Sequence, residues 1–229
     1  VFIVTGSSKG IGNAIANRLL KNGHEVCGIS RSLPEGNSLF KTYLADVSDK
    51  KSLIEIANTL KSEKITVDGL INCAGVMQKP FMDWSRIQEE ELQSIFLTNV
   101  IGTINACQSF IPLMNIRKHT PVINISSLSA HANTELSVYG SSKHAVKGFT
   151  SSLAKILQAT SIRPNCIAPG PIKTEMTSML SDDMLKMFAS PQIINSKVFT
   201  SEDICDIVEL LIDNRSNSLT GQTFHVGGH

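Results

Sequence analysis

The sequence is poor in several features, and each shortage excludes a class of protein. No apolar stretch approaches the ~20 residues of a membrane span, so no membrane partner is expected. Neither sign of charge dominates: 21 Lys and Arg against 20 Asp and Glu leave a formal net charge of +1. No basic run or basic–aromatic interleaving marks a nucleic-acid surface; the densest basic spot, Arg117-Lys118-His119, is short. The five cysteines (Cys27, Cys73, Cys107, Cys166, Cys205) are widely spaced, lie in apolar runs and form no metal-spaced pairs. They read as reduced, buried thiols of a cytoplasmic protein, with no metal site. Neither repeats nor a low-complexity linker divides the 229 residues, so residues 1–229 are read as one domain. The chain opens inside a strand without methionine or signal peptide, so a residue or two is expected to precede Val1.

What is present is alternation. Short apolar runs at 1–5, 25–29, 42–45, 69–73, 122–126, 162–167 and 223–226 read as strands. Between them, helical patterns occupy 11–22, 48–62, about 89–115, 138–159 and 201–213, with a Met-rich irregular insert at 173–190. Such β-α alternation without hairpin signals predicts an α/β fold of three layers, doubly wound, with a mainly parallel sheet between helices.

The first strand runs into Thr5-Gly-Ser-Ser-Lys-Gly-Ile-Gly12, which opens the first helix. Gly6 allows a sharp turn, and Gly10 and Gly12 permit close backbone approach to a pyrophosphate at the positive end of the helix. The turn, including Ser8, Lys9 and Ile11, is therefore a dinucleotide-binding candidate. A carboxylate after the second strand would select NAD; this sequence has Gly28-Ile-Ser-Arg31 there, and Lys9 lies within the turn. Two cations at that point favour the 2′-phosphate of NADP(H) over NAD(H).

Further along, Tyr139 and Lys143 stand four residues apart at the start of a helical segment. That spacing puts both on one face, where an ammonium lowers the pKa of a phenol toward neutrality. Taken alone the pattern is common, and an ordinary surface pair would also satisfy it.

With these motifs in order, the chain resembles the short-chain dehydrogenase/reductase family, in particular its 3-oxoacyl-carrier-protein reductase-like members. Asp46-Val47 looks like the family's adenine contact, and Asn72-Cys-Ala-Gly75, with Ala74, resembles its Asn-Asn-Ala-Gly motif, Cys73 replacing the second asparagine. Asn99 matches the asparagine of the catalytic tetrad, Asn124-Ile-Ser-Ser127 carries its serine, and Tyr139 with Lys143 completes it. Pro169-Gly-Pro-Ile-Lys-Thr174 matches the segment flanking the nicotinamide, through Pro169, Gly170, Ile172 and Thr174, and Thr220–Gly228 resembles the C-terminal strand and turn. The family usually has its serine thirteen positions before the tyrosine; Ser126 has that spacing and Ser127 is twelve before, but the motif frame selects Ser127. The missing residue falls in the 128–137 loop, and Ser126 is expected on the opposite side of the strand.

The resemblance implies a seven-stranded Rossmann fold and a reversible reduction of a ketone or 3-oxoacyl carbonyl to an alcohol. Ser127 would hold the carbonyl, Tyr139 donate the proton, Lys143 bind the nicotinamide ribose, and Asn99 interrupt its helix and hold a relay water. It implies a small-molecule carbonyl/alcohol substrate, a homodimer or homotetramer packed through 89–115 and 138–159, and residues 173–200 as a substrate lid. Met176, Met179, Leu180, Met184, Leu185, Met187 and Phe188 would give that lid an adaptable apolar wall. His131 and Glu135 could reach the pocket mouth, whereas Cys73, His144 and Trp84 are read as structural. A carrier-protein partner is weakly supported: Arg117 and Lys118 lie near one family docking position, but Gln158-Ala-Thr160 leaves the second uncharged. A free sugar, small ketone or aldehyde stays open as substrate. From another class, a non-catalytic NADP-binding sensor or scaffold is the alternative. A sugar-nucleotide epimerase is disfavoured, because fewer than about sixty residues follow the Pro-Gly motif.

Overall fold

The computed structural model describes residues 1–34, 41–78, 83–131, 136–178, 181, 183, 185 and 199–227. Seven strands, β1 (Phe2–Thr5), β2 (Val26–Ser30), β3 (Lys41–Leu44), β4 (Gly69–Asn72), β5 (Thr120–Ile125), β6 (Ile162–Pro169) and β7 (Thr223–Val226), form one sheet. Every pairing is parallel, in the order β3-β2-β1-β4-β5-β6-β7. The crossovers carry α1 (Gly10–Lys21), α2 (Lys50–Ser62), α3 (Glu89–Phe96), α4 (Gly102–Phe110), α5 (Ser137–Ile156) and α6 (Ser201–Ile212). This is the three-layer, doubly wound architecture that the alternation predicts.

The layering follows from the period of two along each strand. In β1, Phe2 and Val4 join Ile15 and Leu19 of α1 and Ile204 and Val208 of α6. Ile3 points the other way, into a cluster with Leu53 and Leu60 of α2, Phe110 of α4 and Leu153 of α5. Strands covered on both faces therefore read as unbroken apolar runs. The edge strand β3 departs from this, with Lys41 and Leu44 exposed.

The helix predicted over 89–115 is broken in the middle. α3 ends at Phe96, a wide π turn spans Leu97–Ile101, and α4 resumes at Gly102. Among the described residues, Glu89–Leu113 alone is long and apolar enough to cross a membrane, contrary to the expectation that no stretch would be. Half of it is buried inside the fold, which accounts for its apolar content. The five thiols are free; Cys73 is partly exposed and the others are buried.

The strand order reverses between β1 and β4. From β1 the chain crosses to one face through α1, and from β4 to the other through α3 and α4. Divergence of this kind opens a crevice at the carboxyl ends of the two strands.

Candidate active site

The glycine turn is built by backbone contact. Gly6 and Gly10 have φ values of 68° and 57°, a region that disfavours side chains. A Cβ on Gly12 would lie 2.3 Å from the Gly6 carbonyl oxygen, and one on Gly6 would lie 2.7 Å from the Ala74 Cα. Thr5 joins the same two segments: its Oγ1 accepts from the N–H groups of Cys73 and Ala74 at 3.1 and 3.2 Å. Lys9 is the N-cap of α1 in extended conformation, and no side chain caps the helix. Its first N–H groups thus keep their polarity for a ligand, and a pyrophosphate fits that end. Ser8 and Ile11 flank it, partly buried.

Beyond the carboxyl ends of β2 and β3, the Arg31 side chain is 68% exposed, with Nη1 4.0 Å from Asp46 Oδ2. The segment Gly28-Ile-Ser-Arg31 holds no acid; the pairing of β2 with β3 brings this one in from the end of the neighbouring strand. Asp46 Oδ1 also accepts from the Ser48 N–H and hydroxyl at 2.9 and 2.7 Å. Val47 is buried against α4, where a Cβ on Gly102 would lie 2.4 Å from Val47 Cγ2.

Four side chains from three elements meet at the other end. Lys143, 4% exposed, donates from Nζ to the Ile125 carbonyl at 2.9 Å and lies 5.6 Å from the centre of the Tyr139 ring. Ser127 follows β5, and its hydroxyl lies near enough to the Tyr139 phenol to favour the phenolate. Ser126 faces away, donating to the Lys143 carbonyl at 2.9 Å. Asn99 stands in the π turn, a helix irregularity that recurs at functional sites. Its Oδ1 accepts from the Val76 N–H at 2.8 Å, and its Nδ2 donates to the Val76 carbonyl and to Ser142 Oγ, both at 2.9 Å. Gly75 completes the enclosure: a Cβ there would lie 3.3 Å from Asn99 Oδ1 and 3.5 Å from Lys143 Nζ. Behind this group, Asn72 Nδ2 donates to Asn124 Oδ1 at 2.8 Å, and Asn124 Nδ2 to Thr150 Oγ1 at 2.9 Å.

Electrostatics here reverse one expectation. Lys143 was expected to lower the phenol's pKa; instead burial pushes Tyr139 up to about 12, outweighing the opposing influence of the Ser127 hydroxyl. Burial also lowers the pKa of Lys143. Both groups have lost water, and the ammonium points to a backbone carbonyl rather than to the phenolic oxygen. Cys73, read as structural, lies close enough to influence both groups and is itself pushed up to about 12 by burial.

The Pro-Gly segment closes the crevice from β6. The Gly170 N–H donates to the Val226 carbonyl at 2.7 Å, Ile172 is buried and bridges to Phe199, and Thr174 caps a short turn at Glu175–Thr177. Glu175 was missed by sequence reading, yet its Oε2 lies 3.4 Å from where a Gly10 Cβ would be. A cleft of about 470 Å³, lined by Gly10, Asn13, Arg18, Lys173, Glu175 and Glu202 among others, adjoins the turn there and not the tetrad. Gln78 was also missed: this buried side chain bonds the backbone of Val138 and Tyr139.

The remaining expectations divide. His131 packs toward α5 and β7, 4.1 Å from the His225 ring and 3.2 Å from Lys147 Nζ. His144 Nδ1 bonds the Gly140 carbonyl at 3.0 Å, a structural contact. Trp84 is 76% exposed in a short turn, so its structural reading fails, because no described element covers it. Leu185 is buried and Met176 is exposed. Glu135, Met179, Leu180, Met184, Met187, Phe188 and Gly228 lie outside the described residues.

A glycine turn at a topological switch point, beside an enclosed Tyr and Lys, defines a nicotinamide-dependent oxidoreductase acting between C=O and CH–OH. The sequence profile described as "short chain dehydrogenase" matches residues 1–185. The 3-oxoacyl-[acyl-carrier-protein] reductase FabG of Haemophilus influenzae is 31% identical over 237 residues, 100% of this chain and 96% of that protein. Carbonyl reductase family member 4 of Xenopus laevis is 32% identical over 235 residues, with the same coverage of 100% and 96%. Among solved structures, the ligand-free aldohexose dehydrogenase of Thermoplasma acidophilum superimposes with a TM-score of 0.88 at 26% identity, over 99% of this chain and 92% of that one. The chain belongs to the short chain dehydrogenase family.

Proposed function

We propose that this chain is an NADP(H)-dependent carbonyl reductase in which Tyr139 is the acid/base. One observation carries the reading: the Tyr139 phenol is enclosed with the Ser127 hydroxyl as partner and Lys143 beside its ring. A phenol held protonated by burial suits the reductive direction, in which it gives up a proton. The Lys143 ammonium stabilises the phenolate left behind, and Ser127 orients the carbonyl oxygen toward the phenol. Asn99, locked to Val76 and Ser142, keeps the π turn open beside Lys143 and holds the relay water.

The cofactor, when bound, supplies the hydride. Gly6, Ser8, Gly10, Ile11 and Gly12 hold its pyrophosphate through the backbone, and Asp46 and Val47 border the adenine. Lys9 and Arg31 take the 2′-phosphate; exposure leaves Arg31 free to leave Asp46, since such pairs contribute only about 0–1 kcal/mol. Asn72, Ala74 and Gly75 line the middle of the site, Tyr139 and Lys143 the nicotinamide ribose, and Pro169, Gly170, Ile172 and Thr174 the nicotinamide.

The substrate is a small carbonyl compound, with residues 173–200 of the single domain as its lid. FabG and carbonyl reductase point to 3-oxoacyl or simple carbonyl groups, and the aldohexose dehydrogenase to a sugar. Carrier docking is disfavoured because the second family docking position, Gln158-Ala-Thr160, carries no charge. Exposed Leu92 on α3 and Leu97 and Ile101 in the π turn give a second copy an apolar surface, favouring a homodimer or homotetramer. Five free thiols fit a reducing cytoplasm.

The test is a panel containing an acetoacetyl thioester, a diketone, an aldehyde and an aldose, each with NADPH and with NADH. We expect NADPH to give at least about tenfold higher kcat/KM on one class of substrate, and Tyr139→Phe to bind cofactor while losing about a thousandfold or more in turnover. Cofactor binding with no turnover on any member would support a sensor, and preference for NADH would remove the Lys9/Arg31 argument.

A further inference from the structure

Helix α5 carries Tyr139 and Lys143, yet its start has no local cap. Its N-cap residue is Leu136, whose side chain makes no bond, and no acid stands in the first turn. A helix leaves its first N–H groups without intrahelical partners, and a cap side chain normally serves the second and third helical positions. In α5 these are Val138 and Tyr139. The next N–H, of Gly140, reaches the Leu136 carbonyl at 2.7 Å.

Both orphan groups are met by one distant oxygen. Gln78 Oε1 accepts from the Val138 and Tyr139 N–H groups at 2.9 Å each, and Gln78 is 1% exposed. It is delivered by the chain leaving β4, which is held from Cys73 to Val76. Thr5 holds Cys73 and Ala74, Gly75 lies against Asn99 and Lys143, and Asn99 grips Val76 by two bonds. The segment that borders the cofactor crevice at Ala74 and Gly75 thus ends by capping the helix of the proton donor.

We propose that Gln78 is a positioning residue for Tyr139: its amide oxygen replaces the missing cap of α5 and holds the phenol where it meets Ser127. The catalytic part of this inference rests on the reading of Tyr139 as acid/base. The amide oxygen suits the place, because it accepts from two adjacent N–H groups at once. Losing the cap lets the first turn of α5 open and the phenol wander, while the glycine turn stays intact.

The experiment compares wild type, Gln78→Met, which keeps the volume and removes the acceptor, and Gln78→Glu, which keeps an acceptor oxygen. Amide exchange at Val138 and Tyr139 in the cofactor-free protein should quicken by about tenfold in the Met variant and return toward wild type in the Glu variant. On the best carbonyl substrate, kcat should fall about 10–100-fold in Gln78→Met with cofactor Kd changed less than about threefold, and the Glu variant should recover most of it. Wild-type exchange and kcat in Gln78→Met would overturn the proposal, as would equal losses in both variants with normal cofactor binding. If Gln78→Met does not fold, the Glu variant decides: folded, cofactor-bound and inactive, it refutes the role. If the wild type turns over nothing, the functional reading fails, and amide exchange still decides whether Gln78 is the cap.

Discussion

The glycine turn and the tetrad flank one crevice but are assembled from different materials. At the turn, backbone meets backbone: Gly12 against Gly6, and Gly6 against Ala74, with the cations Lys9 and Arg31 outside in solvent. At the tetrad, side chains meet inside the fold, with Asn99, Tyr139 and Lys143 all buried. The first region depends on space and is insensitive to ionisation. The second depends on charge in a dry environment, and burial there moves Tyr139 and Lys143 away from their charged forms. On the proposed reading, affinity for the cofactor and proton transfer by Tyr139 therefore fail by different routes.

Gly12→Ala should break the contrast most severely. Its Cβ would fall 2.3 Å from a backbone oxygen that has no flexible side chain to yield. Overpacking of this kind costs about 1–3 kcal/mol or more, and we expect cofactor Kd to rise by about a hundredfold, measured by fluorescence titration. Gly148→Ala is the control: among the described residues nothing beyond the helix's own neighbouring backbone lies within 4 Å of the added Cβ, and it should be neutral or stabilising by up to about 1 kcal/mol. Equal behaviour of the two variants would show that space at the turn is not limiting.

Arg31→Ser probes the exposed side of the turn. The kcat/KM for NADPH should drop about tenfold, and less at high salt, with NADH little affected. A fall as large as that of Gly12→Ala, and independent of salt, would show that the cation is not solvated as its exposure indicates.

Lys143→Met probes the cost of charge at the tetrad and should abolish turnover while slightly raising stability. The buried ammonium is disfavoured by lost hydration, and its bond to the Ile125 carbonyl offsets only part of that, so the variant should gain about 1 kcal/mol in urea unfolding at neutral pH. The sign follows from the lowered pKa of Lys143 in the folded state. Stability is fully present above the unfolded value of 10.5 and is lost as pH falls through the folded pKa. The advantage of the variant should therefore shrink as pH rises toward 10.5. A gap that does not change with pH would remove desolvation as its cause.

Much of this could be read along the chain. Seven apolar runs became the seven strands, though β6 continues to Pro169, two residues past the predicted end. The Asn-Ile-Ser-Ser frame placed Ser127 toward the phenol and Ser126 away, because strand side chains alternate. What escaped detection depends on contacts between distant segments. Gln78 and Tyr139 are 61 positions apart, and nothing around Gln78 marks it as a cap. Asp46 reaches Arg31 only because β3 pairs with β2. Trp84 was read as structural, and its exposure in a short turn is visible only in the fold.

The sequence by itself determined the order of elements, the glycine turn and the spacing of Tyr139 and Lys143, because periodicity and turn chemistry act between near neighbours. Tertiary structure alone decided the environment of those groups. Desolvation, the hand-off from Gln78 to α5, and the reversal in the phenol's pKa arise from how much water the assembled layers exclude, a property no local run of residues possesses.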